Sequence, residues 1–350
     1  MNKFLQEIFE QPAAIRNLLS FYSGRTGLNL LYRAKELITS NKIGQIIFTG
    51  MGSSYFISHA ASELFNRNKL HSFVVNTSEL LHYNLQLFKQ GTLLICISQS
   101  GESFEIKEIL TKLTLKVHCI GIANEENSTL AKKAEVALPC KAGREEMTST
   151  KTFVASSLVS FILGWYLSGN WNGEKVRMIE NLEVNFKAVL DNFNPRIEEI
   201  LSFLGDLQTL QIIGRGPSFA SASQSSLMFR EALHIPATGM LGGEFRHGPM
   251  EMVSEGFKSI VFAPRGKTFD QSIKMAVDIA GFGGKVLLIT GEKPKVQVDN
   301  IMPVLIDEQD EFLFSILGIL PVQLYIDSYA KSKGFEAGSF ARGAKVTTTE

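Results

Sequence analysis

The chain repeats itself, and a duplicated strand–turn–helix unit leaves few folds open to it. GMGSSYF (residues 50–56) corresponds to GRGPSFA (214–220), and SGESFE (100–105) to RGKTFD (265–270). The interval between the paired glycines, Gly50 to Gly101 and Gly214 to Gly266, differs by a single residue between the halves. Compact apolar runs accompany these motifs at 45–50, 93–98 and 116–123 in the first half and at 210–216, 259–264 and 285–291 in the second. Short, uniformly apolar runs suit strands buried on both faces. Helical patterns such as 58–67 and 104–113 lie between them. Strand alternating with helix implies a parallel sheet with right-handed crossovers. The expected fold class is therefore α/β, with two tandem subdomains, each a doubly wound three-layer α/β/α sandwich. Their expected limits are 1–168 and 195–328, followed by a C-terminal tail, 329–350. A chain of 350 residues is also long for a single core.

Composition excludes several partners. The 35 basic and 35 acidic residues cancel, with no like-charge block, so neither nucleic acid nor an anionic membrane surface is expected to bind. The N-terminal MNKFLQEIFEQPAAIRNLL is amphipathic and carries acids, unlike a signal peptide. No uninterrupted apolar run reaches the roughly 18 residues of a spanning helix. The longest candidate, 312–325, contains Gly318, Pro321 and Gln323 and reads as a buried helix. Cys96, Cys119 and Cys140 each sit in or beside a strand-like run, as small buried hydrophobes rather than a disulfide frame or metal site. The expected location is cytoplasmic.

The stretch ICISQSGESFEIKEIL, 95–110, places Ser98, Gln99, Ser100, Gly101, Glu102 and Ser103 where a buried strand gives way to a helix. Ligands of open α/β sheets bind beyond the carboxyl ends of the strands. The first N–H groups of a helix lack internal partners and favour an anion, glycine permits close backbone approach, and serine hydroxyls donate to phosphate oxygens. Ser53 and Ser54 after the first strand, and Thr148, Ser149 and Thr150 in EEMTSTKT, supply two further hydroxyl clusters. Together they read as a phosphate cradle built from three loops; taken alone, SQSGES is equally a polar turn with a helix cap. In the second half SQSGES has become APRGKT, which points to the first half as the ligand binder. A dinucleotide fingerprint is absent, since Tyr55 stands where GxGxxG needs its third glycine, and GKT at 266–268 lacks the upstream glycine of a P-loop.

SQSGES, AGREEMTSTKT, GEFRHGPME and the terminal AKVTTTE, in that order, resemble the sugar isomerase (SIS) superfamily, above all the isomerase domain of glucosamine-6-phosphate synthase and free-standing glucosamine-6-phosphate deaminase/isomerase relatives. The resemblance covers nearly the whole chain and implies paired SIS subdomains and a homodimer with shared active sites. It implies that Ser98, Gln99, Ser100 and Ser103 hold the phosphate, Ser103 replacing a more usual threonine. Ser54, Ser149 and Ala344 would contact the sugar or its phosphate. Glu231 matches the proton-transferring glutamate, His247 the histidine that opens the sugar ring, commonly from the neighbouring subunit, and Lys345 the lysine that forms a Schiff base with an open-chain ketose. These roles suit the residue types: a carboxylate can move a proton between C1 and C2, histidine relays protons near neutrality, and a deprotonated lysine condenses with a carbonyl. Read singly, Glu231 is one more acid on a helix, His247 a turn residue and Lys345 a solvated terminal lysine. Glu145 and Glu146 are weaker candidates, and Glu102 and Glu244 are expected to organise loops by accepting backbone hydrogen bonds.

The expected activity is isomerisation of an amino-sugar or ketose phosphate, in its favoured form glucosamine 6-phosphate to fructose 6-phosphate with release of ammonia. No cofactor or metal is expected, because the protons move between carbons and side chains. The alternatives are a deglycase of phosphorylated fructose–amine adducts and a non-catalytic phosphosugar sensor. The chain departs from the synthase pattern in lacking a glutaminase domain and a cysteine after Met1, in having Met228 where the synthase has lysine, and in a loop AGREEMTSTK one residue shorter.

Overall fold

The computed structural model describes residues 1–114, 117–295, 297–338 and 345–347. Among these the chain forms two five-stranded sheets. The first contains β1 (Gln45–Gly50), β2 (Ser72–Asn76), β3 (Thr92–Ser98), β4 (Val117–Ala123) and β5 (Val136–Pro139) in the order β2-β1-β3-β4-β5. The second contains β6 (Leu210–Gly214), β7 (Ala237–Leu241), β8 (Lys258–Ala263), β9 (Lys285–Thr290) and β10 (Ile301–Leu305) in the order β10-β9-β8-β6-β7. Every pairing is parallel. The two orders are the same when read from opposite edges. The duplication seen in the sequence is thus a duplication of topology.

The chain divides into two compact units, Glu10–Glu183 with Ala341–Glu350, and Val184–Phe340 with Met1–Phe9. The division falls within the helix Gly173–Asn192. Residues 1–9 were expected with the first half but belong to the second unit: Phe4 and Ile8 are fully buried, and Asn2 Nδ2 donates to Asp327 Oδ1 at 2.6 Å. An amphipathic helix has no preference for the half it precedes; the face available to it decides.

The six apolar runs of the sequence are the six inner strands, and β3 is buried at every position. Each sheet also has two strands that the apolar pattern did not reveal, β2 and β5 in one and β7 and β10 in the other, and all four lie at sheet edges. Three of them, β2, β7 and β10, are only partly buried, and Pro303 within β10 cannot donate a ladder hydrogen bond, which an edge strand tolerates.

In both units the first strand turns into its crossover helix through a left-handed glycine, Gly52 (φ 51°) before the helix Ser53–Arg67 and Gly216 (φ 52°) before the helix Ser218–Ala232. The first unit packs Ile47, Leu94, Cys96, Ile106, Ile109 and Cys119 on one face of its sheet. On the helix Lys151–Leu167 all but two of 17 residues are buried, as an evenly apolar helix requires. The three cysteines are free and buried, and burial pushes the Cys140 thiol up to about 12. The stretch Glu311–Ser332 is long and apolar enough to cross a membrane by composition, yet its apolar window is 94% buried within the protein.

A β-carbon on Gly164 of the helix Lys151–Leu167 would lie 2.4 Å from Leu64 Cδ2 and 2.9 Å from Phe65 Cε2 of the helix Ser53–Arg67. Gly164→Leu is therefore expected to destabilise the first unit by about 1–3 kcal/mol through overpacking. Urea unfolding should show a lower midpoint at unchanged slope; an unchanged midpoint would mean that these helices do not approach so closely.

Candidate functional site

In the first unit, β1 crosses to β2 on one side of the sheet while β3 crosses to β4 on the other. The loops beyond β1 and β3 flank the point where the winding reverses, which is where open α/β sheets receive ligands. The loop after β3 is Gln99–Ser103, leading into the helix Phe104–Lys112. Ser98 and Ser100 are 6% and 9% exposed. Ser98 Oγ accepts from the Gly101 N–H at 3.0 Å, and Ser100 Oγ from the Glu102 N–H at 3.2 Å. A hydroxyl that accepts from its own loop still has its single O–H to donate. Ser103 is the N-cap of the helix Phe104–Lys112, but its side chain makes no capping bond. The loop thus presents donors and retains few unspent acceptors, which suits an anion.

Gly101 holds this shape. Its φ is 63°, and a β-carbon there would lie 2.2 Å from Ser128 Oγ. Gln99 acts through its backbone: its carbonyl accepts from Asn124 N–H (3.1 Å) and Glu125 N–H (3.3 Å). Asn124 also donates from Nδ2 to Gly143 O at 2.8 Å and accepts at Oδ1 from Ala142 N–H at 3.0 Å. It therefore ties the SQSGES loop to the loop that carries Ser149. Sequence reading did not single out Asn124; its place just past the end of β4 was the available signal.

Ser54 lies in the first turn of the helix Ser53–Arg67, 9% exposed, with its carbonyl accepting from Ser58 Oγ at 2.8 Å. Ser149 Oγ is 2.9 Å from Thr152 Oγ1 at the start of the helix Lys151–Leu167. The turn before that helix is built around Glu145, whose side chain is wholly buried. Glu145 Oε1 accepts from Thr150 N–H (2.9 Å) and Thr152 N–H (3.0 Å), and Oε2 from Thr152 Oγ1 (2.5 Å). A carboxylate facing the first N–H groups of a helix satisfies donors that have no internal partner.

Lys345 reaches the same carboxylate. Its Nζ donates to Glu145 Oε2 at 2.7 Å and to Met147 O. Two residues on, Thr347 O accepts from Phe104 N–H at 3.1 Å, the first amide of the helix after SQSGES. The structure thus brings Lys345 to the Ser149 loop and Thr347 to the start of the helix after SQSGES. Ala344 lies outside the described residues. Glu231 and His247 belong to the second unit. Glu231 is half-buried near the end of the helix Ser218–Ala232. His247 is exposed and ends the helix Gly242–Arg246, its N–H donating to Glu244 O at 3.0 Å.

Glu102 organises its loop as expected: Oε1 accepts from Thr129 N–H at 2.5 Å and Oε2 from Thr129 Oγ1 at 3.0 Å. The Thr129 amide, its hydroxyl, and Lys107 and Lys132 hold the carboxyl below its ordinary value, against a smaller opposing effect of burial than that of the amide. Glu244 does not act as expected. Only its carbonyl takes part; among the described residues its carboxylate accepts no backbone hydrogen bond, being exposed to solvent.

The corresponding loop of the second unit is filled from within. Lys267 N–H donates to Glu311 Oε1 at 3.0 Å, Arg265 Nε to Gly291 O at 2.6 Å, and Arg265 Nη1 to Gln309 Oε1. Where the first loop offers serine hydroxyls, the second commits its Arg265 side chain and Lys267 amide to its own chain.

A depressed carboxyl stabilises the fold above its unfolded value, about 4.3, and loses that contribution as pH falls through its folded value. Glu102→Gln should therefore melt below wild type near pH 7, and the gap should close as the pH drops below about 4.3. Paired thermal melts across that range test this; a gap independent of pH would remove the charge from the account.

A family model described as "SIS domain" matches residues 38–163 and 204–309. The glutamine–fructose-6-phosphate aminotransferase (isomerizing) of Pyrococcus horikoshii is 30% identical over 352 residues, covering 99% of this chain and 57% of that protein. The chain thus spans less than two thirds of the length of such relatives. Among solved structures, the C-terminal domain of glucosamine-fructose-6-phosphate aminotransferase from Francisella tularensis shares the fold at TM-score 0.87 and 24% identity, over 97% of this chain and 98% of that one. Glucosamine-6-phosphate deaminase from Thermotoga maritima does so at TM-score 0.76 and 22% identity, over 99% and 100%. The twofold family match falls on the two parallel sheets and their crossovers, and the chain belongs to the SIS domain family.

Proposed function

We propose that the chain is a phosphosugar isomerase acting on amino-sugar or ketose phosphates, and that its reaction is the conversion of glucosamine 6-phosphate and water to fructose 6-phosphate and ammonia. The observation that carries this reading is the tail. A lysine from the end of the chain lies against the loop of Ser149, while its neighbour Thr347 lies on the helix that opens at SQSGES. A phosphate-binding loop alone suits a sensor; an amine brought to the same group of loops suits chemistry on a carbonyl. The names of the relatives, an isomerising aminotransferase and a glucosamine-6-phosphate deaminase, support the same class.

In this reading Ser98, Gln99, Ser100 and Ser103 hold the phosphate, the Gln99 carbonyl also bracing the loop. Ser54 and Ser149 orient the sugar. His247 relays the proton that opens the ring. Glu231 takes the C2 proton and returns it to C1, which turns the 2-amino aldose into a ketimine at C2. Lys345 attacks C2, ammonia leaves, and water then hydrolyses the lysine ketimine to give fructose 6-phosphate and the free amine. The protein works as a homodimer, as the resemblance implies, and in the cytoplasm. Met228 and the shortened 142–151 loop set its sugar pocket apart from that of the synthase.

Purified protein incubated with glucosamine 6-phosphate should release ammonia and fructose 6-phosphate in equal amounts. Glu231→Gln should lower kcat by about 10²–10⁴-fold, and Lys345→Ala should abolish the adduct that borohydride traps with fructose 6-phosphate. Thermal stabilisation by the sugar without product would retain the cradle and reject the substrate; full turnover in Glu231→Gln would reject the proton-transfer role.

A further inference from the structure

Glu145 has no role in the reaction just described, yet five hydrogen bonds converge on its carboxylate. Its carboxylate is wholly buried. It accepts from two backbone amides and two threonine hydroxyls of the turn before the helix Lys151–Leu167, and from Lys345 Nζ. A buried carboxylate with this many donors is fixed in place, because each bond restricts where its oxygens can lie. It is suited to holding the amine rather than activating it. Lys345 is 200 residues away in sequence, so its attachment owes nothing to local chain geometry.

We infer that Glu145 is a positioning residue that anchors the C-terminal segment, fixing the Lys345 amine to the Ser149 loop until a sugar carbonyl draws it away. Three features carry this. The ion pair is short, 2.7 Å, and its lysine is only 21% exposed, so water screens it little. The same carboxylate shapes the turn of Ser149, so the lysine is referred to the loop proposed to orient the sugar. The segment has a second attachment, Thr347 O on Phe104 N–H, at the helix N-terminus proposed to face the phosphate. One end of the short segment 345–347 thus responds to the sugar loop and the other to the start of the helix after the phosphate loop. The lysine's place in catalysis rests on the function proposed above; the anchoring does not.

The test uses the full chain and two variants. Glu145→Gln keeps an oxygen for the Thr150 and Thr152 amides but loses the charge that holds Lys345; Lys345→Met removes the other partner and leaves the turn intact. Amide hydrogen exchange is read without ligand at Phe104, Val346 and Thr347. Both variants should speed exchange there by at least about tenfold, with the helix Lys151–Leu167 unchanged. Unchanged exchange at Phe104 in Lys345→Met would overturn the anchor, and that variant decides the matter even if Glu145→Gln fails to fold. In the presence of fructose 6-phosphate, Glu145→Gln should trap less Lys345 adduct with borohydride, and kcat should fall by about 100-fold while KM holds. An equal loss in KM would mark Glu145 as a sugar contact and overturn the positioning role. If wild type forms no adduct with any ketose phosphate while the exchange result stands, the proposed reaction fails and the anchor survives.

Discussion

Parallel strands cannot be joined by a tight turn, and this constraint shapes the whole molecule. Each strand must return through a crossover, the crossovers cover both faces of the sheet, and the inner strands become apolar throughout. Polar groups are then excluded from the sheet and collect at its carboxyl edge, where the loops begin. The hydroxyl cluster after β3 is a direct consequence. Seven successive buried residues, Thr92 to Ser98, end in a loop that must satisfy its own amides, and serine side chains do so while keeping a donor each. The candidate site is therefore not an addition to the fold but the place where the fold releases its polarity.

The inner sheet was legible because burial on both faces leaves only one kind of residue. The edges were not, because an edge strand answers to its single neighbour and to solvent. β2 sets only Phe73, Val74 and Val75 between polar ends, and β10 is a short apolar run broken by Pro303, so neither reads as a strand. The motif glycines were legible for a related reason: Gly52, Gly101 and Gly216 adopt positive φ, and at Gly101 a side chain would also collide with Ser128. What escaped reading depends on contacts distant in sequence. Asn124 matters through Gln99 and Gly143, the first nine residues through the face they cover, and Glu145 through a lysine at the other end of the chain. Glu145 was visible only as one acid among four. Its distinction is four hydrogen bonds to its own turn, which arise when the chain closes and not before.

The two halves show how a duplicated scaffold diverges. Topology, strand order and the left-handed turn glycine are retained in both. The loops after β3 and β8 differ in what they do with their polar groups. In the first, side chains accept from backbone amides and keep hydroxyl hydrogens to donate outward. In the second, Arg265 and the Lys267 amide are taken up by Gly291, Gln309 and Glu311. The two loops thus differ in their bonding with no change of fold.

The division of the chain has a consequence for biosynthesis. Each unit includes a piece distant in sequence: residues 1–9 lie with the unit that resumes at Val184, and the segment of Lys345 lies with the unit that ends its main stretch at Glu183. Neither unit is a contiguous stretch that a ribosome could finish and release in turn. Glu145 is made some 200 residues before the lysine it holds, so the first unit folds around an acid whose cation has not yet been translated. A buried carboxylate without its cation is costly unless other donors face it. Its amide and threonine donors, all encoded within seven residues of it, are what allow the turn to form in the interval. The local bonds of Glu145 therefore need nothing beyond residue 152, and the distant one needs the segment of Lys345.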